Sequence, residues 1–457
     1  MTHIPDHVGL IGQMESLEEY LQAELEKVRL DPLTYGHPCH AMQEEVQMSR
    51  SRRRIVIAGN RTGKALRNGT PILTPIGWRE VEALEPGDDV FAGDGSITTV
   101  RGVYPQGGKP LYRVEFDDGT TVDCTSDHLW KVKDPSARFL KPKVWRTTKE
   151  SRGLTYGQRT VKSLGEILDH VGPSPSPKQR YAIPRCGLVA FPEADLPLDP
   201  YLLGALLGDG GLAQKAVTLT TADREVLERV RRALPGPCRI VKDKHDPYGY
   251  RLIRPDAPDN PVITSLRELG VWGKKSPEKA VPEPYLFASP GQRLSLLQGL
   301  MDTDGTVDKR GCCSFSSSSY QLAADVRFLV QSLGGKARIT LKKTTHLDHY
   351  RVWINQGRRS LFTLSRKRNR VPEHRPRTRD RIIVSIEYMD IGDATCIEVA
   401  HPDGTFITTG CIVTHNTEGA MRDILWTARG NHPYRKARRA SVLWVGSPDY
   451  PSYLRFH

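Results

Sequence analysis

No apolar run in this 457-residue chain approaches the ~18 residues of a membrane-crossing helix, so no membrane span is expected. The opening "MTHIPDHVGL" lacks the basic-then-apolar pattern of a secretory leader. Eight cysteines form no Cys-x-x-Cys pair, and the adjacent Cys312 and Cys313 have no partners at ligand spacing. That argues against a zinc site or a disulfide scaffold and for a reduced, cytoplasmic protein. A further absence is local. The apolar "RIVIA" runs into a small-residue turn ending Gly63-Lys64, the start of a phosphate-binding loop. Such a loop continues with Ser or Thr, whose hydroxyl binds Mg²⁺; here the next residue is Ala65.

The charge balance points to a partner. A net charge of +13 and a pI near 9.3 favour a polyanion, most simply nucleic acid. The missing hydroxyl lies far downstream. Joining Lys64 to Thr417 gives "VIAGNRTGKTEGAMRDILW": strand, loop, Lys-Thr, then an apolar helical run. Ala58, Gly59, Asn60, Arg61, Thr62, Gly63, Lys64 and Thr417 would then cradle ATP and its Mg²⁺. An ordinary multidomain ATPase with a defective loop is the alternative, but it leaves the Asn416-Thr417 junction unexplained.

The texture of the chain is nested. From Ala65 to about Trp130, apolar alternations broken by Gly, Asp and Asn predict consecutive short strands. A weaker basic stretch follows to about Gln179. "YLLGALLGDGG" and "RLSLLQGLMDTDGT" form a diverged repeat about ninety residues apart. A basic linker, "RKRNRVPEHRPRTRDR", leads into another strand set. Helical texture returns after Asn416.

The stretch from Ala65 to Asn416, 352 residues, resembles an intein, a self-excising protein insert. The likeness rests on "ALRNGTPILTPIGWREVEALEPGDDV", on "GTTVDCTSDHLW" and on "THNT" at the far junction. It implies an all-β, horseshoe-shaped Hint-type splicing domain that needs no cofactor. The side-chain amide of Asn416 would attack its own carbonyl, His415 would protonate the leaving nitrogen, and Thr417 would accept the upstream segment. Thr125 and His128 would polarise the Lys64–Ala65 peptide and protonate its amine. A second histidine common before the last strand is absent; Gly404 or Thr405 stands there.

Ala65 departs from the usual Cys or Ser. Either it is an engineered block on an ordinary (class 1) intein, or another nucleophile is used. The residues favour the second reading, because Trp130, Cys396 and Thr414 fall where a distinct class, class 3, carries its Trp, Cys and Thr. In that class the Cys396 thiolate would attack the Lys64 carbonyl. A precursor that does not splice and only binds or cuts DNA is a further alternative.

"LLGALLGDG" and "LQGLMDTDG" resemble the paired motifs of LAGLIDADG homing endonucleases. Gly204, Gly208, Gly299 and Thr303 would let two helices pack closely, each delivering a carboxylate, Asp209 and Asp304, to a shared Mg²⁺ site acting on each strand of double-stranded DNA. Lys279 is a candidate catalytic helper. The Arg-rich run 366–381 reads equally as a DNA-facing arm or a solvated linker.

The flanks total 105 residues, without a visible Walker B acid, so they are expected to be part of a larger ATPase. They resemble the N-terminal ATPase of a phage terminase large subunit, which implies Gln43 as the adenine-sensing residue and packaging-machine partners after splicing. Another P-loop motor such as a helicase is the alternative.

The expected architecture is therefore multidomain. Residues 1–64 and 417–457 are α/β ATPase fragments, 65–190 and 379–416 the two parts of the splicing domain, and 191–378 an inserted α/β endonuclease. The precursor is expected to be monomeric.

Overall fold

In the computed structural model, residues 64–135, 159–213, 216–343, 348–355, 361–372 and 380–415 are described. They all belong to one compact unit, Asn60–Arg438. The loop residues 58–63, Gln43, Asn416 and Thr417 lie outside the described residues. No helix among the described residues is long and apolar enough to cross a membrane.

Two six-stranded sheets dominate the ends of the insert, residues 65–183 and 381–415. They are not built from short strands alone. Ile97–Phe116 and Arg381–Val399 are 20 and 19 residues long and pair antiparallel along most of their length. Gly107, Gly108, Pro105 and Pro110 read in sequence as breaks. In the fold they fall near register shifts at Tyr388/Ile391 and Ala394/Thr395, which absorb them without ending the ladder. The basic stretch before Gln179 contains a helix, Leu164–Val171, held at its start by a reciprocal Ser163–Glu166 cap.

The intervening region is a tandem of like units. Helix Pro200–Asp209 runs into strand Gly210–Gly211 and a four-stranded sheet; helix Pro290–Asp304 runs into Gly305–Val307 and a second such sheet. Strand order is the same in both, and each sheet is interrupted by one helix, Arg224–Ala233 or Tyr320–Ser332. Both leading helices start alike. Asp199 and Ser289 accept from the third backbone N–H, and Pro200 and Pro290 occupy the first turn, where a missing N–H costs nothing.

One large apolar cluster fills the tandem and another fills the sheets at the ends. A smaller cluster joins them, bringing Leu73, Phe91, Ile407 and Cys411 against Cys186, Phe191, Phe287 and Phe328. Beneath it the Arg381 guanidinium, 2.8 Å from Asp118, is buried and also donates to the Cys411 and Gly410 carbonyls. Burial opposes ionisation of Asp118, but Arg381 and the Thr120 hydroxyl and amide outweigh it and hold the carboxyl below its usual range.

Candidate active sites

The first site forms where the short strand Leu66–Arg67 is gripped between Thr121–Thr125 and Arg381–Val399. Leu66 pairs with Cys124 on one side and Thr395 on the other. One step back along both ladders, Ala65 lies between Thr125 and Cys396. The Thr125 amide donates to the Ala65 carbonyl at 3.0 Å, and the Ala65 amide donates to Thr125 Oγ1 at 3.1 Å. Ala65 is fully buried and packs with Cys396, Leu111 and Ala394. Thr125 therefore touches the nitrogen of the Lys64–Ala65 bond directly.

The chain then turns, and the His128 amide bonds back to the Thr125 carbonyl at 3.1 Å. The His128 ring is buried, its Nε2 hydrogen-bonded to the Thr414 hydroxyl and its face 5.3 Å from the Trp130 ring, edge-on. Its Nδ1 has no hydrogen-bond partner among the described residues. Burial, then the nearby His415 and Lys64, depress its pKa to about 3. The ring is thus neutral at physiological pH, so it would have to take up a proton before it could give one to the Ala65 nitrogen. Trp130 also leans on Phe116, filling the layer beneath the histidine.

Thr414 and His415 arrive on the last strand, Ile412–His415, paired to Thr405–Thr408 and, through His415, to Leu129. The N-terminal end of the insert and the strand leading to its C-terminal end therefore meet at Thr125, His128 and Thr414. Thr405, where a second histidine is common in similar sequences, is buried and accepts from the Gly93 amide at 3.2 Å.

The second site lies between the two leading helices. Their backbones touch at the glycines: a Cβ on Gly204 would stand 2.2 Å from the Leu296 carbonyl oxygen, and one on Gly299 2.4 Å from that of Tyr201. A Cβ on Gly208 would meet Thr303 Oγ1 at 2.0 Å. This contact brings Asp209 and Asp304 together at the helix C-termini. Burial, then the Asp209 charge, raise Asp304 to about 6 against the pull of Lys279 and Lys367; burial also raises Asp209. Both carboxyls thus hold a proton more tightly than a free aspartate, chiefly because they are buried. Two carboxylates brought together in this way are oxygen donors that suit a hard divalent cation. Such an ion takes one or two carboxylates and completes its shell with water and phosphate oxygens.

Three comparisons bear on these sites. Residues 291–364 match the family described as LAGLIDADG-like domain. A replicative DNA helicase DnaB of Mycobacterium intracellulare is 28% identical over 85% of this chain, which spans only 64% of that protein's length. Among solved structures, the Msm DnaB1 intein splicing domain bound with zinc is 36% identical, covering 15% of this chain and 55% of that one at a TM-score of 0.15. I-DmoI in complex with DNA and Ca is 17% identical, covering 38% and 95% at a TM-score of 0.28.

The family match and the alignment over most of the chain support an intein with a LAGLIDADG endonuclease domain.

Within the insert, the sequence-derived candidates Thr125 and Cys396 lie against Ala65, His128, Thr414, Trp130 and His415 follow on the adjoining turn and strands, and Asp209 and Asp304 come together elsewhere. Lys279 sits beneath the acids. Its ammonium donates to the Leu206, Leu207, Gly208 and Gly210 carbonyls, at 3.2, 2.9, 3.1 and 2.8 Å, closing the first helix. Sequence reasoning missed its counterpart. Lys367 donates to the Met301, Asp302 and Thr303 carbonyls at 3.0, 2.6 and 3.0 Å, closing the second. Lys367 lies within the run that read as an arm or a linker. Its flank Arg366 forms a two-pronged pair with Asp223, and Arg381 is buried on Asp118, so these three basic groups serve the fold. Tyr104 was also missed; it stands opposite Cys396 on the neighbouring strand and donates to Glu398 at 3.3 Å.

Proposed function

We propose that the chain is a precursor that splices itself through an internal cysteine. The observation that carries this reading is the packing of Cys396 against Ala65, on a strand whose preceding residue, Thr395, pairs with Leu66. Cys396 Sγ bonds to the Lys64 carbonyl carbon, the Lys64–Ala65 C–N bond breaks, and the Ala65 nitrogen gains the proton the thiol gives up. Thr125, bonded to that nitrogen, holds the peptide for attack. Thr417 Oγ next displaces the sulfur, returning a proton to it and leaving an ester. The Asn416 side-chain nitrogen then attacks its own carbonyl, closing a succinimide and freeing the Thr417 amine. That amine takes the acyl group from its own oxygen, leaving a Lys64–Thr417 peptide. Amide to thioester is uphill, and irreversible cyclisation draws it forward.

This reading gives Ala65 as a natural residue and not as an engineered block. It assigns His415 to the leaving group at the C-terminal junction, and His128 with Thr414 to linking the two ends. Trp130 is the packing support. Splicing itself uses no cofactor.

The tandem domain is proposed to cut double-stranded DNA at one site, with Asp209 and Asp304 holding Mg²⁺, which would activate water and stabilise charge on phosphate. Lys279 and Lys367 position the acids through the helix ends.

For the host, the reading is the N-terminal ATPase of a phage terminase large subunit, cytoplasmic and monomeric as precursor. Splicing restores its loop for ATP and Mg²⁺, from Ala58 to Lys64 and on to Thr417, with Gln43 at the adenine. A second reading, a DnaB-type helicase, is favoured by the M. intracellulare alignment, which covers more of the chain than the 352-residue insert. Strand separation by the full-length spliced host would decide for the helicase, and ATP-driven DNA packaging for the terminase.

Intact-mass analysis of incubated precursor tests splicing: the expected products are species of 352 and 105 residues. Unchanged precursor, with DNA binding retained, would leave only the non-splicing alternative.

A further inference from the structure

We propose that Tyr104 is the cover of the thioester, a positioning residue that keeps water from the acyl group on Cys396 until Thr417 takes it. This rests on the internal-cysteine reading and adds what lets its first intermediate survive.

The sheet sets the site out as a row. Thr125, Ala65, Cys396 and Tyr104 follow one another across four adjacent strand segments. They are joined by the Thr125–Ala65 hydrogen bonds, the packing of Ala65 with Cys396, and the register that sets Cys396 opposite Tyr104. Side chains alternate along a strand, so the residues between these face the other way: Leu66, Cys124 and Ile397 enter the large core. The reacting pair therefore lies on the face that this core does not cover. Only a small cluster encloses it there. Ala65 and Leu111 are fully buried and Ala394 nearly so, whereas Cys396 keeps 8% exposure. Tyr104, itself partly buried, packs on this cluster.

Two neighbours fix the ring. Gly102, two residues back on the same face, leaves room for it: a Cβ there would stand 2.9 Å from Tyr104 Cε2 and nearer still to its Cζ and Oη. The ring thus lies along its own strand, from Cys396 toward Gly102. At its far end the hydroxyl donates to the Glu398 carboxylate at 3.3 Å, and Glu398 is the residue opposite Gly102.

The chemistry explains why a cover matters. A thioester on Cys396 has two forward fates. Thr417 Oγ can bond to the carbonyl carbon, or water can; in either case the C–S bond breaks and the sulfur regains a proton. Water leaves a free Lys64 carboxyl and loses the host segment for good. A strand has two edges, so Tyr104 stands on the side of Cys396 away from Ala65. It closes that side and leaves the Ala65 side, with Thr125 beyond it, for transfer. Excluding water from a reactive intermediate in this way prevents its hydrolysis.

The test uses the full precursor carrying Asn416→Ala and Thr417→Ala, whose thioester can only hydrolyse or return to the Ala65 nitrogen. Release of residues 1–64 is followed by mass without added thiol, in water enriched in oxygen-18, so that hydrolysis labels the new Lys64 carboxyl. Tyr104→Ala is expected to speed labelled release about tenfold. Gly102→Ala, which displaces the ring and adds no reactive group, is expected to do the same, and to add nothing when combined with Tyr104→Ala. Tyr104→Phe keeps the ring and is expected to stay within about threefold of the parent. A ring that served only the fold would lower the melting temperature without faster labelling. Tyr104→Ala and Gly102→Ala releasing at or below the parent rate overturns the proposal, as does equal acceleration by Gly102→Ala with and without Tyr104. Should Tyr104→Ala fail to fold, Gly102→Ala against Tyr104→Phe decides: faster labelling by the first supports the cover, and equal rates overturn it. Failure of the underlying reading looks different: Cys396→Ala would still release residues 1–64 at the parent rate.

Discussion

Ala65 and Cys396 pack against each other in a buried apolar cluster, one step along the ladder from the Leu66–Thr395 pair. A residue with no nucleophile thus sits at the first position of the insert with a thiol against it. The two are 331 positions apart in sequence, and only the sheet brings them together.

The first expectation follows directly. Cys396→Ala should abolish formation of the 352- and 105-residue products, leaving precursor or cleavage at Asn416 alone. Denaturing gels and mass measurement after incubation decide it. Splicing of Cys396→Ala at the parent rate would remove the internal thiol from the reaction.

His128 gives a pH-dependent expectation. Its pKa is about 3 in the fold against 6.5 for a free histidine, so between those values the unfolded chain binds the extra proton. The resulting stability is fully present above about pH 6.5 and is lost as pH falls toward 3, at about 1.4 kcal/mol per unit for this one group. Thermal melting of precursor from pH 7 to 4 should show this slope, and His128→Gln should flatten it.

The bond between His128 and Thr414 couples the two ends of the insert. Thr414→Val keeps the shape and leaves the buried imidazole nitrogen unsatisfied, a loss of about 1–3 kcal/mol. If it falls on the transition state, splicing slows about five- to 150-fold. Thr414→Ser, which keeps the hydroxyl, should stay within a few-fold of the parent.

The paired carboxylates make a fourth case with the opposite sign. Asp304 is raised from 3.8 to about 6. Its stabilising protonated form is fully present below about pH 3.8 and is lost as pH rises through 6. At pH 7 the acid is ionised at a cost, so Asp304→Asn should melt higher than the parent there and equally at pH 4. Mg²⁺ should raise the parent's melting temperature at pH 7 and have less effect on Asp209→Asn. Both substitutions should abolish DNA cleavage.

The helix contact is the most brittle part of the fold. Gly204→Ala would drive its methyl group into the Leu296 carbonyl and force the helices apart, costing about 3 kcal/mol or more. Calorimetry should show the endonuclease region melting earlier.

Some of this was legible in sequence because it depends on local pattern. The two glycine-and-aspartate segments carried the helix contact and the carboxylates in one window each. The loop expected to be cut between Lys64 and Thr417 lies, apart from Lys64, outside the described residues. What was not legible depends on long-range register. The Pro105, Gly107 and Gly108 turn signals misread a single bulged strand as several, since bulges cost a ladder little and leave the same residues in view. Lys367 looked like any basic residue in a basic run; only the fold shows its ammonium closing a helix sixty-four residues away. A signal did exist: it follows the second acid much as Lys279 follows the first. Tyr104 had no signal at all, because its importance comes from a partner on the opposite strand.

The most direct test of the central claim is peptide mapping of acid-quenched Asn416→Ala, Thr417→Ala precursor, which can form the first acyl species and go no further. The expected result is a branched peptide in which the sulfur of Cys396 carries the acyl group of Lys64. The contradicting result is an intact Lys64–Ala65 bond in every peptide, or the acyl group on a different side chain.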